Sequence, residues 1–368
     1  MSRAAPRAVH FVMPGAVADP AAPSGGNVYD RRICRDLPGT GWRVEEHTVA
    51  GDWPRPGPAA HAELSRVLTG PADGAVVLLD GLVAAALPHL VVPQAQRLRL
   101  AVLVHLPLGD ETGLDPGLAA ELQALEGRTL RSVRAVVATS AWAAGRLVDL
   151  HGLVPDRVHV AAPGADIAPP ASPGGDGSRL LCVASVTPRK GQLRLVEALA
   201  QIRDLPWSLD CVGPLDRDPE YTGRLRELIA RTGLGDRVRL LGPRTGAGLD
   251  AGYAAADALV LASYAETYGM AATEALARGI PVLATAVGGV PEAVGQAPGG
   301  RTPGLLIDPD DPGALPAALR RWLGDPGTRR RLTAAAHERR TALAGWENTT
   351  RNLAGALDQL RHEPRRAA

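Results

Sequence analysis

The sequence predicts an α/β protein made of two parallel-sheet domains. Short apolar runs alternate with longer helical patterns along the whole chain, and this alternation is typical of strands joined by crossover helices. A length of 368 residues, of which 45% are apolar and 21% charged, fits a globular protein with two filled cores. A segment rich in Pro, Gly and Ser at residues 162–178 separates two series of runs, so each series forms its own Rossmann-like domain.

Nine apolar runs are the predicted strands. They are AVHFV, AVVLLD, RLAVLVH and AVVATS before the linker, and RLLCVAS, WSLDCVG, RVRLLG, DALVLAS and IPVLAT after it. The predicted domains are residues 1–163 and 164–345. The last helical pattern, in residues 346–368, has no strand after it and could pack on either domain; we expect it to cross back to the first.

Charge and cysteine content restrict the class of partner. The formal net charge is +1, and acidic and basic residues are interspersed, which argues against a nucleic-acid groove or an anionic membrane surface. Cys34, Cys182 and Cys211 lack C-x-x-C spacing, so they indicate core positions and a reducing cytoplasm. No apolar stretch approaches the roughly 20 residues that span a bilayer. A small-molecule partner and a cytoplasmic location are expected.

The loops after the strands should carry the chemistry, because open parallel sheets bind ligands at the C-terminal ends of their strands. The first loop is PSGGNVYDRRICRDL, residues 23–37. Gly25 and Gly26 would let the backbone approach an anion at a helix N-terminus, or they simply form a tight turn. Asn27 follows them as a candidate for acceptor binding.

A histidine follows the strand RLAVLV in the first half. His105 could donate a hydrogen bond to a substrate oxygen, or it could be an ordinary edge residue. Asp80 and Asp110 are predicted on the same rim, where they could bind an acceptor.

The stretch VTPRKGQ in the second half contains Lys190, the only lysine among the 40 Lys and Arg residues. The guanidinium of Arg189 could bind two phosphate oxygens at once, and the ammonium of Lys190 could act as a compact point charge. The pair therefore suits a diphosphate. A solvated basic turn is the alternative.

The fourth loop lies in DALVLASYAETYGMAATEALARGIPVLAT. Glu266 follows a strand, and a helix is predicted from about Tyr268 to Arg278. The amides around Gly269, Met270 and Ala271 would form a second anion site, and Glu274 lies about one turn inside the helix. Carboxylates accept hydrogen bonds from paired hydroxyls, so the expected ligand is a sugar or ribose that carries phosphate.

These stretches, with PGAD and SGGNVY, closely resemble the retaining glycosyltransferases of sequence family 4, which have the GT-B fold. The resemblance covers nearly the whole chain and implies two Rossmann-like doubly wound domains facing a central cleft. It implies that Glu274 binds the nucleotide ribose and that Glu266 contacts donor-sugar hydroxyls. It also implies that Arg189 and Lys190 hold the diphosphate.

The same resemblance assigns further residues of the first loop, the histidine and the loop after RVRLL. It implies that Gly25 and Gly26 close on the phosphates and that His105 approaches the donor sugar. The loop from Gly242 to Arg244 would lie beside the base. Tyr268 stands where the family often has Phe, which leaves the backbone role of that position intact.

The expected activity is therefore transfer of a hexose from a nucleoside diphosphate, UDP first, to a small soluble acceptor. No His, Cys or Asp group has metal-ligand spacing in the sequence, so no metal or other cofactor is expected and Arg189 and Lys190 would stabilise the leaving group. Two other classes stay open: a sugar phosphorylase or nucleotide-sugar epimerase of the same fold, and a non-catalytic nucleotide-sugar binder. Neither the acceptor nor the oligomeric state follows from the sequence.

Overall fold

The structure is a computed structural model that describes residues 7–19, 23–172 and 174–362. The described residues form two compact units. The first unit comprises 7–19, 25–163 and 346–362, and the second comprises 23–24 together with 164–172 and 174–345.

The first unit contains a six-stranded sheet in the order β2-β1-β3-β4-β5-β6, in which neighbouring strands are parallel. Its strands are β1 Arg7–Pro14, β2 Trp42–Val49, β3 Val76–Asp80, β4 Arg99–Val104, β5 Ala135–Ala138 and β6 Val158–Val160. Its helices before the linker are α1 Gly25–Asp36, α2 Pro58–Thr69, α3 Gly81–Ala86, α4 Pro88–Val91, α5 Pro116–Ser132 and α6 Ala141–His151.

The second unit repeats this architecture with the order β12-β11-β10-β7-β8-β9, again parallel throughout. Its strands are β7 Arg179–Val183, β8 Ser208–Val212, β9 Val238–Leu240, β10 Ala258–Leu261, β11 Val282–Thr285 and β12 Gly304–Ile307. Its helices are α7 Gln192–Ala200, α8 Pro219–Arg231, α9 Ala247–Ala255, α10 Met270–Leu276, α11 Val290–Val294, α12 Ala314–Gly324 and α13 Pro326–Arg340.

The last helix, α14 Trp346–His362, packs on the first unit. Its Trp346 meets the ring of Tyr29 edge to face at 5.7 Å, and Thr349 donates a hydrogen bond to the carbonyl of Ala162 at 2.7 Å. Apolar side chains on one face, such as Leu353 and Leu357, are fully buried. The helix therefore completes the core of the first unit.

The prediction of two parallel α/β sheets is confirmed, and each of the nine predicted runs falls on a strand. Sequence patterns missed β2, β6 and β12, which are outermost strands of their sheets. The strand β2, WRVEEHTV, is buried only at its two ends. β6 and β12 also have no consecutive buried side chains, so these three strands lack the apolar run that identifies a central parallel strand. The fourth outermost strand, β9, was predicted from RVRLLG.

Two strand-to-helix junctions of the first unit are fixed by capping side chains. Asp80 ends β3 and accepts a hydrogen bond from the amide of Leu82 at 2.6 Å, while Ser140 follows β5 and accepts one from Ala143 at 2.9 Å. Such caps satisfy amides that have no partner inside the helix. They fix the loops at the C-terminal ends of the strands.

Across the three stretches that the structure describes, no helix is both long enough and apolar enough to cross a membrane.

Candidate active site

An ion pair joins the two loops of the second unit that the sequence singled out. Lys190 Nζ lies 2.6 Å from Glu266 Oε1, and Arg189 Nη1 lies 3.7 Å from the other carboxylate oxygen. Ser263 Oγ donates a further hydrogen bond to Oε1 at 2.9 Å. The structure thus gathers both cations around one carboxylate at the ends of β7 and β10.

The backbone brings these loops together at Gly191. This glycine has a φ of +67°, and a Cβ there would lie 2.1 Å from the carbonyl oxygen of Ala262. The amide of Tyr264 donates to the carbonyl of Arg189 at 2.8 Å. Only glycine allows this approach, because any side chain would collide with backbone.

The carboxyl group of Glu266 is held in its charged form. Burial alone would raise its pKa, but the charges of Lys190 and Arg189, with hydrogen bonds from Lys190 and Ser263, outweigh burial and lower it. Glu266 is 7% exposed. It is therefore a carboxylate at neutral pH and can accept hydrogen bonds.

Glu274 has a different environment on the same segment. Its Oε2 accepts a hydrogen bond from the hydroxyl of Tyr253 at 2.7 Å. Burial raises its pKa, and the Tyr253 hydrogen bond and the charge of Arg278 oppose that rise only in part. Tyr253 is fully buried on α9, and the guanidinium of Arg278 lies over its ring at 4.6 Å. Tyr253 thus positions Glu274, a contact that the sequence did not indicate.

The loop between the two glutamates makes a sharp turn into α10. The helix begins at Met270, two residues later than predicted, so Tyr268 and Gly269 precede it. Gly269 has a φ of +104°. The amide of Gly289 donates to the carbonyl of Glu266 at 3.0 Å, and a Cβ at Gly289 would lie 2.2 Å from the Thr267 carbonyl. The next glycine turn therefore fixes this loop, including the amides of Met270 and Ala271.

The remaining predicted donor-binding residues of this unit lie after β9. Gly242 has a φ of +70° and accepts a hydrogen bond from the amide of Gly213 at 3.0 Å through its carbonyl. Arg244 is exposed on the same loop, just before α9.

In the first unit, His105 lies against two carboxyl groups. Its Nε2 is 2.8 Å from Asp30 Oδ1 and 3.6 Å from Asp80 Oδ2. His105 and Asp80 end β4 and β3, whereas Asp30 projects from α1. Burial lowers the pKa of His105, and the charge of Asp80 only partly opposes this. His105 is therefore neutral at physiological pH.

Gly26 has a packing role beside this histidine. A Cβ at Gly26 would lie 3.2 Å from Cδ2 of His105, tighter than an ordinary contact. Tyr29, one turn further along α1, meets the same ring edge to face at 5.2 Å. The first turn of α1, which begins at Gly25, is thus packed on the imidazole.

Asn27 and Asp110, two predicted acceptor-binding residues, have partners within the unit. The side chain of Asn27 donates to the carbonyl of Ala16 at 3.2 Å. Asp110 accepts two hydrogen bonds from Arg146, at 3.0 and 2.7 Å. This paired geometry stabilises the loop after β4.

Asp30, which contacts His105 in the first unit, was not predicted from the sequence. It lies on one stripe of α1 with Gly26, Ile33 and Leu37, and it is fully buried. The sequence signal that could have identified Asp30 is an acidic residue within a row of apolar residues at helical spacing.

The folded chain also brings together two clusters of His, Asp and Glu side chains whose types could ligate a metal ion, which sequence spacing did not reveal. Within the described part of the chain, one such group is Asp30, Asp80 and His105, and the other is His10, Glu45 and His47. In each group the ligand atoms lie within 4.8 Å of one another.

Comparisons with known proteins identify the second unit. Residues 169–339 match the family model of glycosyl transferases group 1. This segment is similar to that family. The chain is 35% identical over 242 residues to a D-inositol 3-phosphate glycosyltransferase of Salinispora tropica, covering 59% of this chain and 49% of that protein. It is 34% identical over 275 residues to the protein of that name from Frankia alni, covering 70% and 64%. The chain thus spans about half the length of the first of these curated relatives.

Solved structures match the chain over nearly its whole length. A sucrose-phosphate synthase from Thermosynechococcus elongatus matches with a TM-score of 0.74 and 25% identity over 95% of this chain and 98% of that one. Anabaena HepE, solved in complex with UDP-glucose, matches with a TM-score of 0.75 and 18% identity over 96% and 99%. The α/β fold of two parallel sheets is therefore shared with these solved structures.

Proposed function

We propose that the protein is a retaining glycosyltransferase that moves a hexose from a nucleoside diphosphate, UDP first, to a hydroxyl or other nucleophile of a small soluble acceptor. The observation that carries this proposal is the Lys190–Glu266 ion pair with Arg189 beside it. Two cations next to a hydroxyl-accepting carboxylate are what a sugar diphosphate requires at its scissile bond.

The two cations act on the leaving group. The diphosphate takes the place of Glu266 as the main partner of Lys190 Nζ, and Arg189 donates to neighbouring oxygens. As the bond between the anomeric carbon and the diphosphate oxygen breaks, negative charge develops on that oxygen, and fixed cations stabilise it. This stabilisation requires no metal ion, so we propose metal-independent transfer.

The two glutamates bind the sugar and the ribose of the donor. Glu266, released from Lys190, accepts hydrogen bonds from the sugar hydroxyls, and Glu274, held by Tyr253 at 2.7 Å, accepts them from the ribose. The acceptor oxygen then bonds to the anomeric carbon on the face that the diphosphate leaves. Its proton passes to the departing phosphate oxygen, so configuration is retained and charge balances.

The first unit is proposed to hold the acceptor at His105 and Asp80. Relatives named D-inositol 3-phosphate glycosyltransferase support a polyol acceptor, and the HepE complex supports UDP-glucose as a donor that this fold accommodates. With its near-neutral charge, the chain is proposed to act on soluble substrates in the cytoplasm.

Slow hydrolysis of UDP-sugars in the absence of acceptor tests this function. The transferase should release UDP and free sugar from one sugar nucleotide of a panel, and omission of the enzyme should abolish release. A phosphorylase would instead form sugar phosphate from a disaccharide and inorganic phosphate, and an epimerase would change the sugar without net transfer. A non-catalytic nucleotide-sugar binder would show a thermal shift with UDP but no turnover.

A further inference from the structure

Two histidines and a glutamate meet on one face of the sheet, across the strands β1 and β2. In the parallel register His10 is paired with Glu45, and Val12 is paired with His47. Side chains alternate between the two faces of a sheet, so Glu45 and His47, two residues apart, lie on the same face as His10. His10 therefore contacts both the glutamate opposite it and the histidine diagonal to it.

The spacing of the three side chains is close to that of a zinc site. His10 Nδ1 lies 3.1 Å from Glu45 Oε2 and 3.1 Å from His47 Nε2, and all three ligand atoms lie within 4.8 Å of one another. Ligand atoms in a tetrahedral zinc site, each about 2.0–2.1 Å from the ion, are about 3.3 Å apart. An ion therefore needs only a small adjustment of these side chains.

The side chains are held in place and can still be reached from solvent. The rings of His10 and His47 stack with their centroids 5.3 Å apart. Arg43 binds the other carboxylate oxygen of Glu45, Oε1, so that Oε2 is the oxygen that faces His10. The side chains of His10 and Glu45 are 18% and 35% exposed. Among the described residues no fourth His, Cys, Asp or Glu joins the cluster, which leaves one coordination position to water.

The donor atoms and the surrounding charges favour a divalent ion of the zinc type. Two imidazole nitrogens and one carboxylate oxygen suit Zn²⁺, whereas Mg²⁺ and Ca²⁺ prefer oxygen ligands alone. The nearby positive charges are balanced, because Arg43 pairs with Glu45 and Arg66 pairs with Glu63 on α2. The second pair also acts electrostatically on His47. A divalent cation would therefore meet no excess of positive charge.

The cluster lies within the strands and not in the loops that follow them. His10 precedes the end of β1 by four residues, and Glu45 and His47 precede the last residue of β2. The strand β2 is outermost in its sheet and pairs only with β1. An ion bound by side chains from both strands would therefore hold the edge of the sheet together.

We propose that His10, Glu45 and His47 bind one Zn²⁺ ion, with water as the fourth ligand, and that this ion fastens the outermost strand β2 to β1. Zinc takes neutral imidazoles as ligands, so any proton shared between the facing atoms leaves to solvent on binding. The role is structural, and the proposal does not depend on the proposed function or on its transfer without a metal ion.

Titration calorimetry with Zn²⁺ on the full chain, treated with EDTA and then dialysed, tests the site. We expect saturable binding of one equivalent in the micromolar range and none with Mg²⁺. His47→Gln should weaken Zn²⁺ binding at least about tenfold, because loss of an outer-shell partner alone costs 10–100-fold. His61→Gln is the matched control, since this histidine of the same unit meets the ring of His89 at 5.5 Å. Absence of saturable binding, or equal affinities in the two variants, would overturn the proposal.

His105→Gln distinguishes this cluster from the one formed by Asp30, Asp80 and His105. The variant should bind Zn²⁺ as tightly as the parent. If His105→Gln abolishes binding and His47→Gln does not, the ion belongs to the other cluster and the proposal is wrong. Should His47→Gln not fold, Glu45→Gln replaces it, because that side chain is partly exposed, and the same weakening is expected.

Hydrogen exchange tests whether the ion fastens the strand. Zn²⁺ should slow exchange of the β2 amides in the parent and leave it unchanged in His47→Gln, because an ion that binds only the paired strands disfavours local opening. Unchanged exchange in the parent with the ion bound would contradict the structural role. Both measurements are made without donor or acceptor, so their outcome is independent of the proposed function.

Discussion

Lys190 Nζ contacts Glu266 Oε1 at 2.6 Å, although the two residues are 76 positions apart in the chain. The only lysine of the protein is thus the direct partner of the buried glutamate in the loop after β10. An ammonium group fits this position because it is compact and donates three hydrogen bonds from a flexible stem. A guanidinium is wide and planar, and Arg189 already places one beside the same carboxylate.

Lys190→Arg should therefore lower turnover by at least roughly tenfold, a loss of about 1.4 kcal/mol of transition-state stabilisation, although the charge is kept. Lys190→Ala should lose more. Steady-state kinetics with saturating substrates measure this, and Arg320→Lys, in an exposed ion pair with Asp204, is the control. If the Lys190→Arg variant stays within about threefold of the parent, the lysine is an accident of composition.

Glu274→Ala should weaken UDP binding, because a ribose hydroxyl loses a charged acceptor worth about 1.5 to 3 kcal/mol. Tyr253→Phe should weaken it less and in the same direction, since the hydrogen bond at 2.7 Å orients Glu274. Glu266→Ala should chiefly slow turnover. Titration calorimetry with UDP compares the three variants. Equal affinity losses at both glutamates would contradict the separate roles.

Glu266 should contribute to acid stability. Its pKa in the folded protein lies below the ordinary value of 4.5, so folding favours the charged form. That contribution is complete above about pH 4.5 and is lost as the pH falls through the lower, folded pKa. From pH 6 to 3.5, urea unfolding should show a larger loss of stability for the parent than for Glu266→Gln. If the free energy of unfolding falls with pH equally in both proteins, the ion pair makes no pH-dependent contribution to stability.

Gly26→Ala should reduce turnover. The new Cβ would press on the His105 ring at 3.2 Å, and the imidazole must shift by a few tenths of an ångström. Gly39→Ala is the matched control, because a Cβ at that position meets no atom within 4 Å. The packing role of Gly26 is wrong if the two variants have the same kcat.

Sequence patterns predicted every inner strand and the outermost β9, and they singled out the second-unit loop residues as candidates, because both signals are local. The run DALVLAS is a buried central strand, and Glu266 and Glu274 follow it within one segment. Asp30 and Tyr253 were not predicted because each contacts a residue on another element. Asp30 contacts His105, and Tyr253 contacts Glu274. No local pattern reports a contact between residues 75 positions apart.

The stereochemistry of UDP-glucose hydrolysis in EDTA tests whether the protein transfers sugar with retention and without a metal ion. Proton NMR resolves the two anomers of glucose as they form, before mutarotation mixes them. We expect release of UDP with the α-anomer appearing first, and loss of this activity in Lys190→Ala. Initial appearance of the β-anomer would contradict retention, and activity that returns only with added divalent metal would contradict a leaving group stabilised by Arg189 and Lys190.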